Sequence, residues 1–560
     1  MKQTSESLTG KAWSWPQPQT SENALHHHPK WYQSLLARRN ITTQNELHLW
    51  TEKSLAKLAD PSRMKDMDIA VELIAAHLSA HNKIVVYGDY DVDGVSSTAI
   101  FMEFLKHLGG NVDFYIPDRK SEGYGLNQEA VEHIARSADL MVTADCGITS
   151  YKEIAKAREL GLDVIVVDHH QVPDEMPPAQ ACLNPMRPDC DYPDDFLCAA
   201  GVIFVLCVGL RRHLREEGWF QNTQEPDVRS LLDLVALATV ADMVPLLGIN
   251  RTLVAAGLAR MNTTPRPALE ELFRVSGIET GQIQTSDLGF RIGPRINARG
   301  RLEHAGAAVD LMLTTSIAKA SPIAQALDTA NQQRRELEKQ TSEAAEEQCT
   351  QEGLDAHACI VIANKQWHPG ILGLVASRLS HTFNRPAIVI GEGGKASARS
   401  VDGCNIHTAI SKNSEYLLKF GGHRAAAGLT IETQNIPRFR EGVIKDVERQ
   451  LGIPPYPKVL TLDAELLNQE IDEKMLELLD SLGPFGQENP EPIFAIKNVQ
   501  LSDKKVVGKE HLKLKVGPQK IDAIGFGMGQ YLHDLPNRVD LAFRLEKNYF
   551  RGTEKLQLNL

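Results

Sequence analysis

Four short stretches carry side chains that could hold metal ions and cleave a phosphate ester. Gly88-Asp89-Tyr90-Asp91-Val92-Asp93-Gly94 follows the apolar run KIVVY. Its three aspartates alternate, so an extended chain would turn them to one side. Asp145 ends MVTAD, Asp168-His169-His170 ends VIVVD, and Asp242 ends the apolar run LVALATVAD. Brought to one edge, these carboxylates would repel one another and resist desolvation, and bound cations are the usual remedy. Mixed carboxylate and imidazole ligands suit Mn2+, while Mg2+ is open with more oxygen and water ligation. The ligands outnumber what one ion needs, which points to two ions, a site able to activate water near neutral pH. A lone aspartate at a strand end is commonly a helix cap, but four such signals in one region argue for a shared site. A calcium loop is excluded, because the twelfth position counted from Asp89 is Ile100 and not glutamate.

These groups need a scaffold that gathers strand ends. MDIAVELIAAHLSA repeats its apolar residues at helical spacing, and STAIFMEFLKHLGG predicts a helix ended by Gly109 and Gly110. KIVVYGDYD, NVDFYIPD, ADLMVTADCG and GLDVIVVDHH alternate with such helices. Strand, acidic turn and helix recurring in this order predict an α/β fold with a mostly parallel sheet over residues 66–310, its functional groups at the carboxyl ends of the strands. Residues 311–352, with DTANQQRRELEKQTSEAAEEQ, predict a long, largely exposed connecting helix. A second α/β domain is expected over 353–452, with ACIVIAN and RPAIVIGEG as strands. Beyond the linker GIPPYPK, the short strands of residues 456–560 predict an OB-type β-barrel. Residues 1–65 are polar and Pro-rich, and His26–His28 reads as a solvated surface stretch rather than a metal tract.

Phosphate contacts need donors. Arg291, Arg295, Asn297, Arg299 and Arg301 lie in FRIGPRINARGRL, whose interspersed glycines and apolar residues suggest a shaped loop that approaches phosphates. Arg378, Arg399, His423 and Arg424 are further candidates, and Gly421-Gly422-His423 reads either as a tightly packed helix start or as an anion site at a helix N-terminus. In the barrel, Lys504, Lys505, Lys509, Lys513 and Lys515 supply charge, and Phe526, Tyr549 and Phe550 are candidate stacking rings. The net charge of −12 decides little, since local basic patches coexist with an acidic average. No apolar run is long enough to span a membrane, and the N-terminal stretch lacks the apolar core of a secretory signal. Eight scattered cysteines without a CxxC pair suggest neither a disulfide framework nor a cysteine-rich zinc site, and a reducing cytoplasm fits.

GDYDVDG, TADCGI, VVDHH and ATVADMVPL, in that order, resemble the four motifs of the DHH phosphoesterase superfamily. GYGL, FRIGPRINARGRL, WHPGILGLVASRL, FGGHRAAAG and SLGPFGQENPEP make the chain similar to the RecJ family of single-strand exonucleases within it. The resemblance covers nearly all of residues 66–560. It implies a DHH domain, a connecting helix, a DHH-associated domain and a C-terminal nucleic-acid-binding barrel. It implies processive hydrolysis of single-stranded DNA from the 5′ end in recombination and repair, releasing mononucleotides, with two Mn2+ or Mg2+ ions. Asp91, Asp93, Asp145, His169 and Asp242 are then metal ligands, Asp89 is a ligand or orients one, and Asp145 is shared between the ions. His170 either contacts the scissile phosphate and leaving group or orients His169. Gly421, Gly422 and His423 help bind the strand. A single-strand-binding protein and a RecQ-type helicase are the implied partners of a monomer. Arg299 departs from the family, which has a small residue there. The rival readings are a DHH phosphodiesterase for short oligonucleotides or cyclic dinucleotides, against which the barrel speaks, and a non-catalytic DNA-binding scaffold, against which the intact acidic positions speak.

Overall fold

The structure, a computed structural model, describes residues 7–15, 25–118, 122–123, 125–302, 306–550 and 553–560, with the side chains of 299–302, 549–550 and 553–554 outside the description. The chain divides into two units, one formed by Trp15–Asp328 with Thr461–Leu560 and the other by Met1–Ser14 with Thr329–Leu460.

The larger unit begins with helices α1 (Lys30–Arg38) and α2 (Gln44–Thr51). Then come α3 (Met67–Ser79), α4 (Val92–His107), α5 (Gln128–Ala135), α6 (Tyr151–Glu159), α7 (Ala199–Glu216), α8 (Leu232–Ala241), α9 (Gly248–Thr263) and α10 (Pro267–Ser276). The strands β1 (Lys83–Gly88), β2 (Asn111–Tyr115), β3 (Leu140–Ala144), β4 (Asp163–Val167) and β5 (Ala181–Leu183) form a sheet in the order β2-β1-β3-β4-β5. Every pairing in it is parallel. Strands β1, β3 and β4 are almost wholly buried, which is why they read as unbroken apolar runs. One face packs on α3, α4, α7 and α8, the other on α5 and α6.

Two expectations are corrected here. The run LVALATVA is the helix α8, not a strand; nearly every side chain of it is buried, and a helix buried all round shows no amphipathic period to identify it. The segment FRIGPRINARGRL is not a loop but a π-helix, Leu288–Ile292, followed by α11 (Gly293–Leu302). Within it Gly293 is closely packed, a Cβ there lying 3.1 Å from the Leu288 carbonyl oxygen. In the N-terminal stretch His26 and His27 are exposed as expected, but the stretch also carries a buried helix. Trp31, Tyr32, Leu35 and Leu36 of α1 are buried in the core of the barrel.

Helices α12 (Gly306–Leu313) and α13 (Ile317–Gln351) follow, and the division between the units falls within α13, after Asp328. At 35 residues, α13 is about 50 Å long.

The smaller unit carries β6 (Ile360–Ala363), β7 (Ala387–Ile390), β8 (Lys395–Arg399), β9 (Leu417–Gly422) and β10 (Ala426–Ile431) in the order β9-β10-β8-β7-β6. The β6–β7 pairing is parallel and the others antiparallel. Gly421-Gly422-His423 therefore starts no helix. It closes a β9–β10 hairpin in which Gly422 has φ 141° and a Cβ would lie 2.5 Å from the Ala426 carbonyl oxygen and Ala427 Cα. The sequence signal misled because a run of small residues suits close helix packing and close strand turns alike.

The barrel comprises α14 (Glu473–Leu482) and strands β11 (Ala464–Glu465), β12 (Phe494–Val507), β13 (His511–Val516), β14 (Ile521–Gly525), β15 (Arg538–Phe550) and β16 (Thr553–Asn559). Their order is β11-β12-β13-β14-β16-β15, and a β12–β15 pairing closes the ring. Trp31 meets Phe494 edge to face with ring centroids 5.9 Å apart, the Tyr32 and Ser481 hydroxyls lie 2.9 Å apart, and Arg38 donates to Asp463 at 2.7 Å.

Candidate metal centre

Parallel pairing in register brings the acids together. Hydrogen bonding continues one residue beyond the strands: Asp89 N donates to the Ala144 carbonyl, Asp145 N to Val167 and Asp168 N to Leu183, at 3.1–3.2 Å. Asp89, Asp145 and Asp168 thus lie side by side at the carboxyl edge of β1, β3 and β4. Asp145 has φ 68°, a left-handed conformation that aspartate tolerates better than most residues.

The aspartates of GDYDVDG do not alternate along an extended chain. The helix α4 starts at Val92, and Asp91 is its N-cap, its Oδ1 accepting from the amides of Asp93 and Gly94 at 2.9 and 3.0 Å. Period two predicts one-sidedness only while the backbone stays extended, and capping bends it here. Gly94 is required by close approach, since a Cβ would sit 2.4 Å from the Asp89 carbonyl oxygen. Asp93, in the first turn, accepts from the first amides of α7, Ala199 at 2.7 Å and Ala200 at 2.8 Å. Asp242 closes α8 as its C-cap.

His169 stands at the centre. Its Nε2 lies 3.2 Å from Asp145 Oδ1, 3.5 Å from Asp242 Oδ2 and 3.7 Å from Asp93 Oδ2. Asp93, His169 and Asp242 converge as one set of possible ligands, and Asp89, Asp91 and Asp145 as a second; Asp145 also converges with His169 and His170. Asp168 is 1% exposed and accepts from the amides of Ile148, His169 and His170 and from His170 Nδ1 at 2.7 Å. The carbonyl of His170 is held by Asn184 Nδ2 at 2.8 Å.

Without cations the site is electrostatically strained. Burial, then the charges of Asp91, Asp93, Asp89 and Asp242, push the Asp145 carboxyl well above its ordinary range. Burial, then Asp93 and Asp91, raise Asp242 to about 8. Burial also raises Asp93, against the opposing pull of His169. Burial pushes the His169 imidazole down, toward the neutral form that ligates metals. Burial would lower His170 as well, but its hydrogen bond to Asp168 and the surrounding carboxylates hold it up at about 9. Asp145 Oδ1 and His169 Nε2 are buried with no hydrogen-bond partner. Among the described residues no lysine or arginine lies within ion-pair distance of Asp93, Asp145 or Asp242. Oxygen-rich donors with one imidazole fit Mn2+ or Mg2+.

The other candidates are scattered. Arg291 donates to Asp287 and to the carbonyls of Ser276 and Gly277, and Arg295 to Asp328 and the Arg291 carbonyl, so both guanidinium groups are engaged within the protein. Asn297 Oδ1 is buried without a hydrogen-bond partner. The side chains of Arg299, Arg301, Tyr549 and Phe550 lie outside the described residues. In the smaller unit Arg378 pairs with Glu346, Arg399 donates to the Ala398 carbonyl, and Gly421, Gly422 and His423 are exposed. On the barrel, Lys504, Lys505, Lys513 and Lys515 line a cleft of about 370 Å³ together with Asp503 and Asp522, Lys515 pairing with Asp522 at 2.9 Å, and Phe526 is 61% exposed. The sequence places Asp168 among the converging acids but assigns it no role; the structure gives it one, holding the backbone and ring of His170. The amides of Ala199 and Ala200 gave no signal, because backbone donors are not encoded by residue type.

Family models match three parts of the chain: the DHH family N-terminal domain over residues 83–239, the DHHA1 domain over 356–449 and the RecJ OB domain over 462–560. A single-stranded-DNA-specific exonuclease RecJ from Dickeya dadantii is 37% identical over 552 residues, covering 95% of each chain. The chain belongs to the RecJ family. The Bacillus subtilis relative of the same name is 36% identical over 94% of this chain and 66% of its own length. RecJ of Thermus thermophilus in complex with Mn2+ superposes with a TM-score of 0.80 at 28% identity, over 95% of this chain and 75% of that one. The Mg2+ complex gives 0.73 at 27% identity, over 95% and 74%. The metals solved in the family are thus the two that the donor set fits. No helix among the described residues is long and apolar enough to cross a membrane.

Proposed function

We propose that this chain is a single-stranded-DNA-specific exonuclease that hydrolyses phosphodiester bonds from the 5′ end and releases mononucleotides. The observation that carries the reading is the register-locked edge where Asp89, Asp145 and Asp168 adjoin, with His169 and Asp242 closing on Asp145. Asp93, His169 and Asp242 would hold one cation and Asp89, Asp91 and Asp145 the other, with Asp145 beside both sets. When bound, the cations supply water activation near neutral pH and neutralise charge on the phosphate. His170, half-exposed and held by Asp168 through Nδ1, donates to a phosphate oxygen or the leaving oxygen. That hydrogen bond, with the ring itself half-exposed, favours proton donation over a role confined to orienting His169.

The barrel's lysine-lined cleft and the exposed Phe526 supply charge and a stacking face for a single strand. Gly421, Gly422 and His423 of the β9–β10 hairpin, with Arg399, are the strand contacts proposed in the smaller unit. The same reading places the enzyme in the cytoplasm as a monomer working with a single-strand-binding protein and a RecQ-type helicase in recombination and repair. Free cysteines throughout the described chain support a reducing compartment. A degradation assay with Mn2+ tests the reading on 5′-labelled single-stranded DNA, 3′-labelled single-stranded DNA and blunt duplex. Early release of 5′-labelled mononucleotide from single strands, abolished by EDTA, is expected. Turnover of short oligoribonucleotides or cyclic dinucleotides without cleavage of DNA would overturn the substrate, and binding without any turnover would overturn the enzyme.

A further inference from the structure

The motif SLGPFGQENPEP joins α14 to β12, yet its contacts reach away from the barrel into the part of the same unit that carries the metal centre. The carbonyls of Leu482 and Gly483 accept from Arg251 Nη2 at 3.1 and 2.7 Å. Arg251 Nη1 donates to the Trp50 carbonyl at 2.8 Å, and its guanidinium lies over the Trp50 ring, 4.2 Å from the centroid. Phe485 O accepts from Thr285 Oγ1 at 2.7 Å, and Gln487 O accepts from Leu246 N at 2.8 Å. Asn489, fully buried, closes the segment on itself through the carbonyls of Leu482 and Pro484. Gly486 lies against Leu246, where a Cβ would sit 2.6 Å from Leu246 Cδ1. Arg251 is only 4% exposed and its cation is solvated by backbone carbonyls, an arrangement that fixes where those carbonyls must be.

Asp242-Met243-Val244-Pro245-Leu246 spans the gap between the metal centre and this strap. At one end Asp242 N and Met243 N are tied to α8 through the carbonyls of Ala238 and Val240. At the other, Asn250 Nδ2 holds the Pro245 carbonyl at 3.0 Å and the strap holds Leu246. We propose that the strap Gly483–Asn489, clamped by Arg251, positions the Asp242 carboxylate, so that the seating of the barrel sets the cation affinity of the Asp93, His169 and Asp242 site. The proposal rests on the ligand assignment above. Arg251, Gly486 and Thr285 touch no substrate; they are positioning residues.

The test is a Mn2+ titration of the full-length chain without DNA, following the electron paramagnetic resonance signal of free Mn2+. Asp242→Ala serves as the reference, beside Gly486→Ala, Thr285→Val, Arg251→Met and the conservative Arg251→Lys. The strap variants are expected to weaken one bound Mn2+ about tenfold or more, the range typical of outer-shell changes, and to leave the other unchanged. Arg251→Lys should fall between wild type and Arg251→Met, and kcat should recover at raised Mn2+. Gly486→Ala and Thr285→Val keep the test open if Arg251→Met does not fold. Wild-type Mn2+ affinity in the strap variants, with only a lower Tm in EDTA, would reduce the strap to a structural brace and overturn the proposal. Wild-type affinity in Asp242→Ala itself would overturn the ligand assignment first, and the proposal with it.

Discussion

At the residue scale, the site depends on opposed shifts among neighbouring groups. Asp145 lies beside both ligand sets, so Asp145→Ala should lower hydrolysis at least about 1,000-fold while single-strand binding survives. Single-turnover cleavage and filter binding on the same preparation check this, and near-normal turnover would refute the two-cation site. The folded pKa of Asp242, about 8, lies above its ordinary value of 3.8. Its titration therefore favours the folded metal-free chain below about pH 4, and that contribution is lost as pH rises through 8. Accordingly Asp242→Asn should gain stability over wild type in EDTA as pH rises from 4 to 8, by at least about 1 kcal/mol. Paired denaturant titrations at the two pH values measure it. Cation affinity should rise over the same window, because the ions displace protons. For His170, the pH titration of its ring resonances in the metal-free protein should centre near 9, and Asp168→Asn should move it down toward 6.5. A midpoint unmoved by that substitution would remove Asp168 as the cause.

At the element scale, helices bring the decisive groups to a sheet edge that strands alone could not complete. The N-terminus of α4 places Asp93 against the first amides of α7, where the helix dipole favours its charge. The C-terminus of α8 delivers Asp242. Helix α1 closes the core of a barrel whose strands begin more than 400 residues later. Each fully buried aromatic or leucine there contributes roughly 1.5–3 kcal/mol by area alone. Leu35→Ala should cost about 2–5 kcal/mol, with the loss reporting on the barrel rather than on cation binding. Hydrogen exchange of β12 and β15 amides would show whether the protection lost is that of the barrel. If those amides keep their protection, α1 is an ornament to the barrel and not part of its core.

At the scale of the whole molecule, the metal-centre layer and the barrel belong to one compact unit, although the intervening residues Thr329–Leu460 form another. A truncation at residue 456 would remove the barrel but leave Trp31, Tyr32, Leu35 and Leu36 exposed, so surface charge reversal is the cleaner experiment. Lys505→Glu with Lys513→Glu should weaken binding of long single strands roughly tenfold at 0.1 M salt and flatten its salt dependence, with cleavage of trinucleotides much less affected. Equal losses on long and short substrates would count against the barrel as the strand-binding surface.

The residue types at the site were legible in the sequence because chemistry is carried by side chains, and crowded carboxylates with imidazoles have few uses other than holding cations. The parallel sheet was legible too, since strands buried on both faces leave apolar runs bounded by acidic turns. The order of the motifs by itself placed the chain in its family. Other features needed the tertiary structure. A helix buried on every side has the same pattern as a buried strand, so Asp242 was credited to the wrong element. Alternation in GDYDVDG suggested one face, whereas capping turned Asp91 into the helix start and sent Asp93 to α7. Arg291 and Arg295 read as free donors because sequence does not show Asp287, Asp328 and the carbonyls that engage them. The polar N-terminal stretch concealed a helix that completes the barrel, since its partners lie at the far end of the chain. Local sequence specifies which groups exist and how the backbone near them prefers to run; which groups meet, and which are already satisfied, is set by contacts between residues hundreds of positions apart.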